Sequence, residues 1–170
     1  MDLASLIREI PDFPKQGIIF KDITTLLKVP AAFKQVIDEL TNAFRDDHIE
    51  VVVGMESRGF ILAAPLAYNL GAGLVPVRKL GKLPHETLSI EYALEYGTNT
   101  LEIHRDGIEA GQRVLIVDDL LATGGTVAAT VDLVQRLKGQ VVATAFLIEL
   151  PELGGRKALP DVKVTSLIQG

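Results

Sequence analysis

The sequence predicts an α/β fold in which a parallel sheet is flanked by helices. Short apolar runs rich in β-branched residues alternate along the chain with stretches whose apolar residues recur at helical spacing. The run Val114–Val117 is apolar at every position, which is typical of a strand that helices cover on both faces. The length of 170 residues suits one domain with a sizeable core, so we expect a single domain over residues 1–170.

The alternation can be followed element by element. Helices are predicted from about Phe33 to Phe44, from Phe60 to Leu70 with a stop at Gly71, and from Val127 to Leu137; strands are predicted at Val51–Val53, Leu74–Val77, Val114–Val117, Val141–Ile148 and Val162–Leu167. Two regions depart from this pattern. Residues 1–25 contain Pro11, Pro14 and Gly17, and residues 79–105 read as a lysine-rich loop followed by an antiparallel hairpin.

Composition narrows the class of function. The absence of cysteine excludes disulfides, Cys-based zinc sites and thiol nucleophiles. A net charge of −5 argues against nucleic acid as a partner, although it allows a local site for one phosphorylated small molecule. The longest apolar run, Phe60 to Tyr68, is far shorter than the ~20 residues that span a bilayer. With charged residues also interrupting the N-terminus, we expect a cytoplasmic protein with no membrane partner.

The segment from Val114 to Thr126 carries most of the chemical information. A buried strand is expected to end in Asp118 and Asp119, followed by a small flexible turn and the start of a helix. In open α/β sheets ligands bind beyond the carboxyl ends of strands, where a helix N-terminus offers unpaired N–H groups. Gly124 and Gly125 allow close approach of an anion to the backbone, and the hydroxyls of the flanking threonines add donors. This pattern predicts a site for a phosphate monoester.

The adjacent acids indicate what accompanies the phosphate. Carboxylates accept hydrogen bonds, so Asp118 and Asp119 would repel a phosphate but hold a sugar diol. Together with the glycine-containing turn they suggest ribose 5-phosphate as the ligand. The alternative is that Asp119 and Thr123 only cap the helix, which leaves the paired acids after a buried strand unexplained.

The chain resembles a known family at this point. Asp118–Thr126 is similar to the motif with which type I phosphoribosyltransferases bind phosphoribosyl pyrophosphate (PRPP), in the form found in the adenine-specific members. Five further blocks match those members in order: Pro11–Pro14, Gly17–Asp22, Ser57–Phe60, Arg78–Pro84 and Leu94–Gly97. The resemblance implies the type I fold, with a small N-terminal hood over about residues 1–25 and a flexible loop over about residues 79–96.

The resemblance also implies roles for individual residues. Asp118 and Asp119 would hold the ribose hydroxyls, and the 5-phosphate would lie on Ala122, Thr123, Gly124, Gly125 and Thr126. Pyrophosphate would meet Arg58, Arg78, Lys79 and Lys82, where positive charge would stabilise the leaving group in the transition state. Taken alone, the lysine-rich run would be interpreted as a solvated charge run. Similar enzymes have a cis peptide between the residues that match Glu56 and Ser57.

The base and the remaining partners follow from the same resemblance. Adenine would stack between Phe20 and Leu120, and backbone groups of Ile19 and Lys21 would form hydrogen bonds with its amino edge. Glu95 and Arg58 would be the catalytic residues, with Glu95 holding or removing a proton. Enzymes for 6-oxopurines carry Asp where Ala122 stands and Lys where Gly125 stands, which argues against those bases. Lys21 and Glu56 replace the Arg and Asp of many relatives. Mg²⁺ would arrive with PRPP rather than at a dedicated protein site, and the family is usually homodimeric.

Four alternatives remain open. The chain could be a phosphoribosyltransferase for xanthine or a pyrimidine, or a PRPP-sensing regulator without catalysis. Phe20 could be an ordinary core aromatic residue. Glu95 could be a solvent-facing strand residue beside Glu91 and Glu102.

Overall fold

The computed structural model describes residues 1–94 and 97–170. Its strands are β1 (Arg8–Pro11), β2 (Ile19–Asp22), β3 (Val51–Met55), β4 (Gly73–Lys79), β5 (Thr87–Ala93), β6 (Thr98–His104), β7 (Arg113–Leu121), β8 (Gln140–Glu149) and β9 (Lys163–Gln169). Its α-helices are α1 (Thr24–Leu27), α2 (Pro30–Phe44), α3 (Arg58–Leu70) and α4 (Gly125–Arg136), and short 3₁₀ turns lie at Ala4–Leu6, Pro151–Leu153 and Gly155–Ala158.

Over these residues the main sheet has seven strands in the order β5-β6-β4-β3-β7-β8-β9. The strands from β4 to β9 along this order run parallel, whereas β6 is antiparallel to both β4 and β5. The predicted parallel sheet and antiparallel hairpin are therefore confirmed. The hairpin also extends the sheet, because β6 pairs with β4 at Arg78 and Lys79. The hood is a separate two-stranded sheet formed by β1 and β2.

The sheet separates two apolar cores, and strand β7 contributes alternate residues to each. Leu115 and Val117 pack with α2 and α3, while Val114 and Ile116 pack with α4. This arrangement explains why the strand is apolar at every position. The first core also includes Leu3 and Ile23, so the N-terminal segment packs directly on the sheet.

Helix boundaries follow local signals in the sequence. Helix α2 begins with Pro30 in its first turn after the extended residue Val29, and α3 ends at Gly71, which has the left-handed φ of 66°. Within the described parts of the chain, no helix is both long and apolar enough to cross a membrane.

Strand β7 is longer than the sequence predicts. It continues through Asp118 and Asp119 to Leu121, because β8 keeps pairing alongside it as far as the Leu121–Glu149 pair. The acids therefore lie within the last part of the strand instead of following it. The next residue, Ala122, already belongs to the turn that leads into α4.

Candidate active site

The turn between β7 and α4, which we call the glycine loop (Ala122–Thr126), has the form of an anion site. Gly124 has a φ of 87°, which reverses the chain, and within the described part of the chain no side chain caps the first turn of α4. The alternative that Asp119 and Thr123 only cap this helix is therefore wrong. Uncapped N–H groups and the positive end of the helix dipole favour a bound anion. A cavity of about 90 Å³ lies against this loop and is also lined by Asp118, Leu120, Leu121 and Val127.

The two adjacent glycines of this loop serve different purposes. A Cβ at Gly124 would lie 2.6 Å from the carbonyl oxygen of Gly155 and 2.9 Å from Cβ of Ala158, so packing beneath the loop excludes a side chain there. Among the described residues, a Cβ at Gly125 would meet nothing closer than the Tyr92 ring at 3.9 Å. Gly125 therefore has room for a Cβ in ordinary contact with that ring.

The acid pair is held by short contacts at the end of β7. The buried carboxylate of Asp119 accepts a hydrogen bond from Nε of Arg58 at 2.5 Å, and Asp118 accepts one from the Asp119 N–H at 2.8 Å. Burial, followed by the negative charge of Asp119, raises the pKa of Asp118 well above its ordinary value. The oxygens of the two carboxyl groups can accept hydrogen bonds from hydroxyl donors.

Gly59 allows helix α3 to approach these acids, a role that the sequence analysis did not assign. A Cβ at Gly59 would lie 2.9 Å from the carbonyl oxygen of Val117 and 3.0 Å from Oδ1 of Asp118. The close approach brings Arg58, the first residue of α3, within reach of Asp119. Only the quoted block Ser57–Phe60 could have drawn attention to this glycine.

Arg58 also reaches the hood. Its guanidinium carbon lies 5.1 Å from the centroid of the Phe20 ring, and Phe13 meets the same ring edge-on at 5.2 Å. Phe20 is half-buried between these groups rather than in the core, so the core alternative is wrong. The structure thereby brings the predicted base-stacking residue beside the acid pair.

The other residues predicted to bind the base lie on two elements. Ile19 and Lys21 are on β2, which pairs only with β1 among the described residues and so has an edge free for backbone hydrogen bonds. The Lys21 side chain forms an ion pair with Glu9. Leu120 is half-buried on β7, next to Asp119 and against the first core.

Two of the four side chains predicted to meet pyrophosphate, Arg78 and Lys82, pair with Glu56, whereas Arg58 pairs with Asp119. The Glu56 carboxylate accepts hydrogen bonds from Nε of Arg78 at 2.9 Å and from the Lys79 backbone at 3.3 Å, and Nζ of Lys82 lies at 3.4 Å. Burial alone would raise the pKa of Glu56, but the Lys79 backbone, Arg78 and Lys82 together lower it. The lysine-rich run is thus attached to Glu56 by Arg78, Lys82 and the Lys79 backbone, while the lysine side chains stay exposed. The Glu56–Ser57 peptide is cis, as predicted.

The hairpin lies against the glycine loop. The Tyr92 hydroxyl on β5 is 3.1 Å from Oγ1 of Thr126 and 3.3 Å from Nδ2 of Asn99 on β6. The predicted catalytic Glu95 lies outside the described residues. Glu102 on β6 is buried and accepts a hydrogen bond from the Gly81 backbone at 2.6 Å.

This combination of sheet, acid pair and glycine loop defines a class of protein. Residues 22–170 match the phosphoribosyl transferase domain. The chain is 61% identical over 169 residues to adenine phosphoribosyltransferase from a Cyanothece species, with 99% of each sequence covered. The chain belongs to the adenine phosphoribosyltransferases, a family of pentosyltransferase enzymes.

Solved structures support the same placement. The adenine phosphoribosyltransferase of Thermoanaerobacter pseudethanolicus superimposes with a TM-score of 0.97 at 55% identity, covering 99% of this chain and 98% of that chain. The Saccharomyces cerevisiae enzyme, complexed with adenine and an imino-altritol bisphosphate, superimposes with a TM-score of 0.90 at 41% identity, covering 96% and 94%. The predicted fold class is therefore confirmed along nearly the whole length.

Proposed function

We propose that the chain transfers the 5-phosphoribosyl group of PRPP to adenine, giving AMP and pyrophosphate in purine salvage. The observation that carries the proposal is the position of Arg58. One side chain contacts the buried carboxylate of Asp119 at 2.5 Å and lies 5.1 Å from the Phe20 ring. The sugar subsite and the base subsite therefore adjoin, as a bond between ribose C1 and a purine nitrogen requires.

The sugar phosphate would be held by the end of β7 and the start of α4. Asp118 and Asp119 accept hydrogen bonds from the ribose hydroxyls, while the N–H groups and hydroxyls of the glycine loop donate to the 5-phosphate. Because burial raises the pKa of Asp118, hydroxyl donors and the cations of bound substrate compensate a charge that is costly in the free protein.

The leaving pyrophosphate would be stabilised by Arg58, Arg78, Lys79 and Lys82. As the bond to C1 breaks, negative charge grows on the pyrophosphate oxygens, so these cations stabilise the transition state more than the ground state. Mg²⁺ enters as part of the substrate, bound chiefly by pyrophosphate oxygens and water.

Adenine would lie between Phe20 and Leu120, with backbone groups of Ile19 and Lys21 at its amino edge. Adenine presents a donor at N6 and an acceptor at N1, whereas a 6-oxopurine presents the reverse, so a backbone C=O and N–H pair discriminates between them. The free edge of β2 can supply such a pair.

The test of this function is AMP formation from adenine and PRPP with Mg²⁺, compared with hypoxanthine, xanthine and a pyrimidine base. We expect adenine to be favoured by ~10⁴-fold or more in kcat/KM, because mispaired polar groups in a hydrogen-bonding site are costly. Comparable use of another base would favour another phosphoribosyltransferase. PRPP binding with no turnover of any base would favour a regulator.

We propose that Glu95 holds or removes the proton near N7 of the base, because Ala122 has no ionisable group. Glu95→Gln keeps the shape of the side chain and removes its ionisable group. Turnover should fall by ~10²-fold or more, the usual effect of losing a general acid or base. PRPP affinity should change little, because the sugar and phosphate contacts lie elsewhere. A rate within about twofold of wild type, with chemistry rate-limiting, would leave positioning and charge stabilisation as the only means of catalysis.

We also propose that residues 1–170 act as one domain and that the chain forms a homodimer. Packing of Leu3 and Ile23 into the first core supports the single domain.

An exposed apolar face on α3 supports the dimer: Tyr68 is 87% exposed and Ile61, two turns earlier, is 41% exposed. This face begins one turn from Arg58, so a second copy would adjoin the site. The cytoplasmic location remains a prediction.

A further inference from the structure

We infer that Arg156 and Glu149 are positioning residues for the 5-phosphate site, acting through the turn beneath the glycine loop. The inference rests on the proposed function, in which the glycine loop binds the 5-phosphate of PRPP. Neither side chain lines the cavity at this loop. Their effect must therefore pass through the residues between them and the ligand.

The first step is a buried ion pair at the end of β8. The Glu149 carboxylate is 4% exposed and accepts hydrogen bonds from Nε of Arg156 at 2.7 Å and Nη2 at 2.8 Å, one on each oxygen. It also accepts the Ser166 hydroxyl at 2.7 Å from β9. This geometry fixes both the position and the orientation of Arg156 relative to the sheet.

The second step joins Arg156 to the glycine loop. Arg156 follows Gly155 in the 3₁₀ turn, and a Cβ at Gly155 would lie 2.6 Å from the carbonyl oxygen of Ala122 and 2.8 Å from the Leu121 side chain. From the other side, a Cβ at Gly124 would lie 2.6 Å from the carbonyl oxygen of Gly155. Backbone packs on backbone here, so displacement of the turn must displace the loop.

The energetic consequence follows from how the phosphate is held. Backbone N–H groups bind an anion only if they stay within ~0.5 Å of their productive positions, and a misplacement of about 1 Å can cost 10²-fold in rate. Without Arg156 the buried Glu149 charge keeps only Ser166 as a side-chain partner among the described residues, and the turn loses its side-chain contacts with Glu149 on β8 and with the Val164 carbonyl on β9. The loop would then bind the 5-phosphate less well, although every residue that contacts it is intact.

The experiment compares Arg156→Ala with Arg8→Ala in the full chain. Arg8 forms a similar pair in the hood, donating to the buried Asp22 carboxylate from Nε at 2.9 Å and Nη2 at 2.5 Å. Arg156→Ala should raise the KM for PRPP by about tenfold and leave the KM for adenine within about twofold, because the loop and the hood are separate elements. Arg8→Ala should leave the KM for PRPP unchanged. Arg156→Lys, which cannot form the two-pronged contact, should recover only part of the loss.

Titration with ribose 5-phosphate, followed by thermal shift, supplies a readout independent of turnover. Failure of the wild type to bind it would count against the proposed function itself. Wild-type binding with equal affinity in a folded Arg156→Ala protein would overturn the positioning role. Equal increases in both KM values would mean that the ion pair stabilises the whole fold without positioning the loop, and would also overturn it.

Discussion

At the scale of single residues, the burial of Asp118 lowers the free energy of unfolding of the ligand-free protein. Burial and the neighbouring Asp119 raise the pKa of Asp118 in the folded chain. Ionisation of this carboxyl group is therefore easier in the unfolded chain, which lowers the free energy of unfolding at pH values above the ordinary pKa of 3.8. Asp118→Asn keeps an oxygen for the Asp119 N–H and removes the charge. We expect a higher Tm at neutral pH, where about 1 kcal/mol corresponds to about 2–4 °C for a chain of this size, together with loss of stabilisation by PRPP.

The pH dependence provides the control for Asp118→Asn. The stability of the wild type should fall as pH rises from the unfolded pKa to the raised folded pKa, and the variant should lack this decrease. The difference in Tm should therefore vanish near about pH 3, where both side chains are uncharged. Asp132→Asn, a change at an exposed carboxylate in α4, should show no such gain. Equal Tm values for wild type and Asp118→Asn at neutral pH would contradict the cost assigned to Asp118.

The adjacent glycines of the loop should respond differently to the same substitution. Gly125→Val should weaken PRPP binding by ~10²-fold or more with little loss of stability. A Cβ at this position is in ordinary contact with the Tyr92 ring, but a branched side chain would block the approach of phosphate oxygens to the backbone. Gly124→Val should instead destabilise the fold, since a left-handed φ and contacts of 2.6 Å and 2.9 Å exclude its side chain. PRPP titration and urea unfolding of both variants separate these effects. Unchanged PRPP affinity in Gly125→Val would place the phosphate elsewhere.

At the scale of elements, the hairpin is tied to the glycine loop by a hydroxyl pair. The contact between Tyr92 and Thr126 links β5 to the first turn of α4. We expect hydrogen exchange in residues 79–94 to slow when PRPP and an adenine-site ligand bind, because the flexible loop closes and excludes water from the site. Equal exchange with and without ligands would argue against a closing loop.

Tyr92→Phe tests the tie itself. One hydrogen bond contributes about 0.5–1.5 kcal/mol, so exchange in β5 of the ligand-free protein should become about 2–10-fold faster. Tyr68→Phe, a change at an exposed tyrosine on α3, serves as the matched control and should leave exchange in β5 unaltered. If the two variants behave alike, the hairpin is held by its pairing with β4 alone.

At the scale of the whole molecule, we expect the exposed face of α3 to form the contact between two copies of the proposed homodimer. Ile61, Tyr68 and the neighbouring Leu74 are 41%, 87% and 46% exposed, an apolar surface that a second copy would cover. Light scattering should give twice the chain mass of 18.4 kDa, and Tyr68→Glu should shift it towards 18.4 kDa. Ala31→Glu, at an exposed position on α2, is the control and should remain dimeric. A wild-type mass of one chain would exclude the dimer.

The sequence by itself was sufficient for the layered fold and for the centre of the site. The apolar pattern of β7 indicates that the strand is buried on both faces. The glycines of the loop indicate a backbone that must turn sharply and let a ligand approach closely. Such signals depend on a few consecutive residues, so they can be interpreted without knowing the rest of the fold. The predicted strand ends before the observed β7 does. The last residues of β7 are held in the strand by pairing with β8, which is distant in sequence.

Only the tertiary structure decided which distant groups meet. Arg58 lies 61 positions from Asp119, and no periodicity relates the two; they meet because Gly59 lets α3 approach the end of β7. In the same way, Gly155 lies beneath Ala122 because β8 and β9 place its turn there. Sequence patterns indicate which face of an element is buried. They do not indicate which charges pair or which backbones come into contact, because these depend on how whole elements pack against each other.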